Sequence, residues 1–129
     1  MAERRMISKK VVYSDNFNRL TAKSKLLYYT MVMEADDDGL IGNIKQIFAH
    51  VGANKKSLDA LCDNGFAICF RNGVTVIRHW HVQNRIPRDR YKQTFYPKEL
   101  SQLEICSDGT YRLRIDSEEV IARICNTKR

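Results

Sequence analysis

Nothing in this chain is long and apolar: no run approaches the roughly 18 residues that a membrane span needs. The first ten residues, MAERRMISKK, lack the apolar stretch of a signal peptide, so a cytoplasmic protein without membrane contact is expected. Proline occurs twice and glycine six times, never clustered into a linker, and no internal repeat or low-complexity tract is present. The chain therefore reads as one domain over residues 1–96 with a C-terminal extension over 97–129. Cysteine is sparse and lacks the CxxC pair that begins a zinc site; Cys62, Cys69, Cys106 and Cys125 are expected to be reduced core thiols. There is no Ser/His/Asp constellation, no phosphate-cradling glycine loop and no separated carboxylate pair, so no enzyme, cofactor or metal is expected.

What the chain does have is positive charge. Lys and Arg number 22 against 15 Asp and Glu, a net +7 that favours a polyanionic partner. The excess sits in two places. Arg78, Arg85, Arg88, Arg90 and Lys92 against Asp89 make residues 78–92 +4, and Arg4, Arg5, Lys9 and Lys10 against Glu3 make residues 1–10 +3.

The order of elements narrows the fold. Ser14 or Asp15 caps a short helical turn, DNFNRL, and Thr21 caps a longer helix to about Glu34 with Leu27, Tyr28, Met31 and Ala35 on its apolar side. Leu40 and Ile41 form at most a short strand. Asn43 is expected to cap a helix with Ile44, Ile47, Phe48 and Val51 inward and Gly52 as its stop; Asn54 caps another, carrying Leu58, Leu61 and Cys62, that stops at Gly65. AICF and VTVIRHW around Arg71-Asn72-Gly73 predict a hairpin, because Asn and Gly tolerate the positive φ of a tight turn. Helix, short strand, helix, helix, hairpin is the order of a winged helix-turn-helix, mostly α with a small β wing. The polar stretch HVQNRIPRDRYKQTFY is expected to be irregular, followed by a helix from Pro97, a second hairpin at Asp108-Gly109 and a helix capped by Ser117.

The stretch EADDDGLIGN, residues 34–43, carries three consecutive aspartates before a glycine. Its spacing imitates the first half of an EF-hand loop, but the twelfth position from Glu34 is Lys45, whose ammonium repels the cation it should chelate. A helix stop is expected there instead of a calcium site. Taken with RRMISKK, Asp15 and Phe17, Asn43 with Lys45, Gly52-Ala53, GF at 65–66 and GVTVIRHW at 73–80, ADDDG resembles the N-terminal domain of phage replisome organizers. Asn84, Ile86, Asp89-Arg90-Tyr91, Thr94 and Tyr96 extend the resemblance, which covers residues 4–96. Those proteins initiate replication in phages and prophages of Gram-positive bacteria and are related to the DnaD-like primosome proteins. The resemblance implies a winged helix, binding to origin DNA, self-association, contacts with host helicase-loading proteins and no catalysis. His81 and Gln83 depart from it, standing where a basic residue and a histidine are expected.

In a winged helix the second helix of the motif enters the major groove by its N-terminal end, which here is Asn54, Lys55, Lys56 and Ser57. Asp59 and Asp63 cancel its two lysines, so the charge is better supplied by Arg71 and Arg78 near the wing and by Arg85, Arg88, Arg90 and Lys92, with Asn43 and Lys45 on the preceding helix. Tyr91, Phe95 and Tyr96 are positioned to stack on unpaired bases, and Asp89-Arg90 to form an internal pair. The partner expected is DNA, duplex or single-stranded, bound by a homo-oligomer. Three rivals use the same residues: a transcriptional repressor reading a palindromic operator, an assembly module that binds only protein, and a nicking nuclease. The last rests on His79-Trp80-His81, which on a strand would point both imidazoles to one face as a metal pair, with Tyr91 or Tyr96 as nucleophile. The simpler expectation is one histidine half-buried beside the tryptophan and one exposed on the wing edge. His50 is expected to meet the C-terminal carbonyls of its helix.

Overall fold

The computed structural model describes residues 4–120. Ser8 opens α1 (Lys9–Val12), a turn the sequence pattern does not announce, by accepting from Lys10 N. Ser14 is the cap of α2 (Asp15–Asn18), accepting from Phe17 N, and Thr21 caps α3 (Ala22–Glu34), accepting from Ser24 N. Leu27, Tyr28, Met31 and Val32 of α3 are fully buried. Phe17 stands edge-on to Tyr28 and Phe66, with ring centroids 5.3 Å from each, and these rings form the aromatic centre of the core.

β1 (Leu40–Ile41) follows, then α4 (Ile44–Val51) and α5 (Lys55–Asp63), both packed on α3. Gly52 closes α4 at φ 71°, the left-handed conformation that frees the chain to turn. Asn54 Oδ1 accepts from Ser57 N and caps α5 as expected. Asn43 does not behave likewise: it makes no side-chain cap bond and its amide reaches only Gln46 Oε1, at 3.5 Å. Its backbone (φ −111°, ψ 41°) is turned out of the extended conformation that aims a cap side chain at the helix.

β2 (Ala67–Cys69) and β3 (Thr75–Ile77) form the expected hairpin, closed by Phe70 N donating to Val74 O at 2.8 Å. β1 adds to the other edge of β3, giving an antiparallel sheet of order β1-β3-β2 with Val76 opposite both Leu40 and Ile68. The strand ends earlier than VTVIRHW implies. Arg78 N still bonds Phe66 O in the register of the β2–β3 ladder, and Trp80 then begins α6 (Trp80–Gln83), a single helical turn. Residues 84–96 are irregular, as expected.

The extension contributes α7 (Pro97–Ser101), β4 (Leu103–Ile105) and β5 (Tyr111–Leu113), the strands joined by the Asp108-Gly109 turn. α7 is shorter than its sequence pattern because Leu103–Ile105 goes to the second sheet. Leu103 and Tyr111 belong to the same buried cluster as α3 and β3. Ser117 Oγ accepts from Val120 N at the start of a helical turn; the rest of the expected helix, with Cys125, lies outside the described residues. The fold is thus helix-rich with two small antiparallel sheets.

One expectation about cysteine fails. Cys62, late in α5, and Cys69, at the end of β2, are paired as a disulfide, their Cα atoms 6.9 Å apart. The turn at Gly65 folds β2 back along α5 and brings the two positions together, which linear spacing does not reveal.

Candidate nucleic-acid interface

The acidic run is tied to distant parts of the chain through all three of its carboxylates. Asp36 Oδ1 accepts from the backbone N–H groups of Asp38 and Leu40, and Oδ2 from the Thr94 hydroxyl. Asp37 Oδ1 accepts from Arg5 Nη2 at 3.0 Å and Oδ2 from Lys92 N at 2.9 Å. Asp38 Oδ2 accepts from the Tyr91 hydroxyl at 2.5 Å, and its carbonyl from the Tyr111 hydroxyl at 2.8 Å. Each carboxylate therefore holds a different residue of 91–94, and together they clamp the irregular segment against the β1 end of the sheet. Donors on every side are what allow three adjacent carboxylates to coexist. Burial raises the Asp38 pKa above the ordinary carboxylate value, with the Tyr91 hydrogen bond acting in the opposite direction. The same bond to the carboxylate is the main reason Tyr91 is pushed up to about 12.

Two glycines make the clamp possible. Gly39 has φ +86°, and a Cβ there would lie 2.6 Å from Cγ of Trp80, whose indole covers it while Nε1 donates to Asp37 O. At Gly42 a Cβ would fall on the Tyr96 hydroxyl.

The N-terminal segment is held from the other side. The Asn84 side chain accepts from Met6 N and donates to Met6 O, imitating one rung of a β ladder. Gln83 accepts from Ser8 N and donates to the Tyr28 hydroxyl, whose pKa burial raises to about 12. RRMISKK is consequently fixed beside the 84–92 segment, and the two basic regions of the sequence become neighbours.

Arg85, Arg88, Arg90 and Lys92 are all exposed, and none is in an ion pair among the described residues; the Asp89-Arg90 pair is not formed. Lys55 and Lys56 are exposed at the start of α5, Asn43 and Lys45 on α4, and Arg71 at the hairpin tip. Three expected contacts are already occupied within the fold. Ser57 is buried, with its hydroxyl on Asn54 and its carbonyl accepting from Ser24; Asn54 spends Oδ1 on the cap. Arg78 is half-buried and donates to Gly65 O at 3.2 Å. Arg5 was visible only as part of a basic stretch, and no periodicity marks it, yet its side chain is 2% exposed and sits at the centre of the clamp.

No family model, curated protein or solved structure matches the chain.

The histidines do not form a pair. Because α6 begins at Trp80, His79 and His81 are about 200° apart around a helical turn instead of on one face of a strand. His79 lies against Phe66, with ring centroids 5.8 Å apart, while His81 Nε2 bonds the Tyr111 hydroxyl at 2.8 Å. The Tyr111 proton is committed to Asp38 O, so His81 must be the donor in its bond and carries its proton on Nε2. Burial lowers both histidine pKa values. Neither imidazole is exposed on an edge, and the two do not share one strand face as the His79-Trp80-His81 rival reading requires. His50 lies exposed in the last turn of α4.

Proposed function

We propose that the chain is a winged helix-turn-helix protein that binds DNA in phage or prophage replication initiation, acting without catalysis as a homo-oligomer on origin DNA and meeting host helicase-loading proteins there. The order α3-β1-α4-α5-β2-β3 with sheet order β1-β3-β2 supports the winged helix. The observation that carries DNA binding is the clamp: Arg85, Arg88, Arg90 and Lys92 project, exposed and unpaired among the described residues, from a segment that Asp36, Asp37 and Asp38 hold in place. A fixed row of cations releases counterions on meeting phosphate without first paying to order itself. The replication assignment rests on the resemblance, whose separated blocks ADDDG, Asp89-Arg90-Tyr91 and Thr94 meet in this clamp. Fluorescence anisotropy against duplex and single-stranded DNA over a salt series tests it; affinity that falls with salt is expected, and no binding to either would overturn it.

A second reading, a protein-assembly module, has one observation in its favour. Leu26, Tyr29 and Met33 lie along one face of α3 and remain 49%, 37% and 49% exposed. Light scattering with and without DNA separates assembly alone from assembly on DNA.

A further inference from the structure

Two clefts meet at Arg5. The larger, about 570 Å³, is walled by Arg4, Arg5, Arg90 and Lys92 together with Asp37 and Asp89. The smaller, about 220 Å³, shares Arg5, Asp37 and Lys92 with it; Leu40, Ile41 and Phe95 give it an apolar surface, with Glu34 and Asp36 also in its lining.

The first cleft has the chemistry of a phosphate site. Its four cations outnumber its two carboxylates, and both oxygens of Asp37 are already engaged by Arg5 Nη2 and Lys92 N. Arg5 has donors to spare. Its guanidinium lies over Trp80, 5.1 Å from the ring centroid, and Nη2 serves both Ala35 O and Asp37 Oδ1. Nε and Nη1 are buried without a partner among the described residues. A buried guanidinium N–H with no acceptor is costly, and phosphate oxygens supply both the acceptor and the charge that arginine binds best.

The second cleft has the chemistry of a base site. Of the three aromatics expected to stack, Tyr91 is tied to Asp38 and Tyr96 covers Gly42, whereas Phe95 is 88% exposed at the cleft. An apolar slot beside a bare phenyl ring accepts a flat face, and a base offers its face only when it is unstacked and unpaired.

We propose that the two clefts together seat one nucleotide of an unpaired DNA strand, with the phosphate against Arg4, Arg5 and Arg90 and the base against Phe95. This rests on the DNA-binding reading and adds the strandedness. The exposure of Phe95 makes Phe95→Ala a variant that leaves folding intact, which an unchanged melting temperature verifies.

Anisotropy is measured with labelled oligothymidylate, a duplex of equal length and an abasic deoxyribose-phosphate chain. Phe95→Ala should weaken oligothymidylate binding about tenfold and leave duplex and abasic binding unchanged, while the Arg4→Ala/Arg90→Ala pair should weaken oligothymidylate and abasic binding together. Oligothymidylate binding unaffected by Phe95→Ala, or equal losses on duplex, would overturn the site while leaving DNA binding in place. Salt-sensitive duplex binding with no single-strand binding would do the same. Displacement of the oligonucleotide by stoichiometric thymidine 5′-monophosphate would assign the site to a free nucleotide and overturn its assignment to DNA. Failure of the wild type to bind any of the three would remove the underlying reading as well.

Discussion

The hydroxyl of Tyr91 donates to the carboxylate of Asp38, 53 positions earlier in the chain. That bond joins the acidic run that ends the first helical layer to the basic segment that follows the hairpin. Breaking it should loosen the segment without unfolding the core, since Tyr91 is 41% exposed. A double-mutant cycle with Tyr91→Phe and Asp38→Asn should give a coupling energy of about 1 kcal/mol by chemical denaturation, and both variants should raise protease cleavage within 85–92. A coupling indistinguishable from zero would show that the bond holds nothing.

Gly39→Ala should cost about 3 kcal/mol or more, combining a left-handed backbone with a collision against the Trp80 ring. Gly73→Ala is the internal control, because it has the same kind of φ but nothing within 4 Å of the added carbon. Thermal melts should place Gly39→Ala well below Gly73→Ala; equal losses would mean that Trp80 makes way freely.

The two asparagine caps should separate cleanly. Asn54→Ala removes the acceptor for Ser57 N and should cost about 1 kcal/mol. Asn43→Ala removes no cap bond and should change stability by only a few tenths of a kcal/mol. Urea titration of both variants measures the difference.

Replacing Arg85, Arg88, Arg90 and Lys92 together by alanine should weaken duplex binding for all sequences alike. It should also flatten the slope of log affinity against log salt by about 3 to 4. Binding that loses sequence preference but keeps its salt slope would place the phosphate contacts elsewhere, with Lys55 and Lys56 the next residues to change.

Acidification should destabilise the fold through its histidines. Burial depresses His79 and His81 below 6.5, so the unfolded chain takes up protons first. Their contribution is complete above pH 6.5 and is lost as pH falls through the folded values. Asp38 has the opposite sign: its raised pKa means that its contribution is complete below 3.8 and is lost as pH rises through the folded value. Melting temperature should therefore fall from about pH 7.5 to about pH 5.5, and the His79→Gln/His81→Gln variant should flatten that slope. A slope unaltered in the variant would assign the effect to other groups.

Residue type and spacing reveal the features that chain neighbours settle among themselves. Thr21 capping α3, Asn54 capping α5, Gly52 ending α4 and Asn72-Gly73 turning the hairpin involve partners within a few residues, so residue type and spacing suffice to read them. The charge excess at 1–10 and 78–92 was legible for the same reason, as a matter of composition. Long-range packing alone makes these regions adjoin, takes Trp80 out of the strand to cover Gly39, and joins Asp36, Asp37 and Asp38 to Thr94, Lys92 and Tyr91 across 58, 55 and 53 positions. An aspartate that stops a helix and one that clamps a distant segment look identical in sequence, because a hydrogen-bond acceptor carries no mark of where its donor will come from. The fold supplies the donor, and in doing so turns an acidic run into the support of a basic surface.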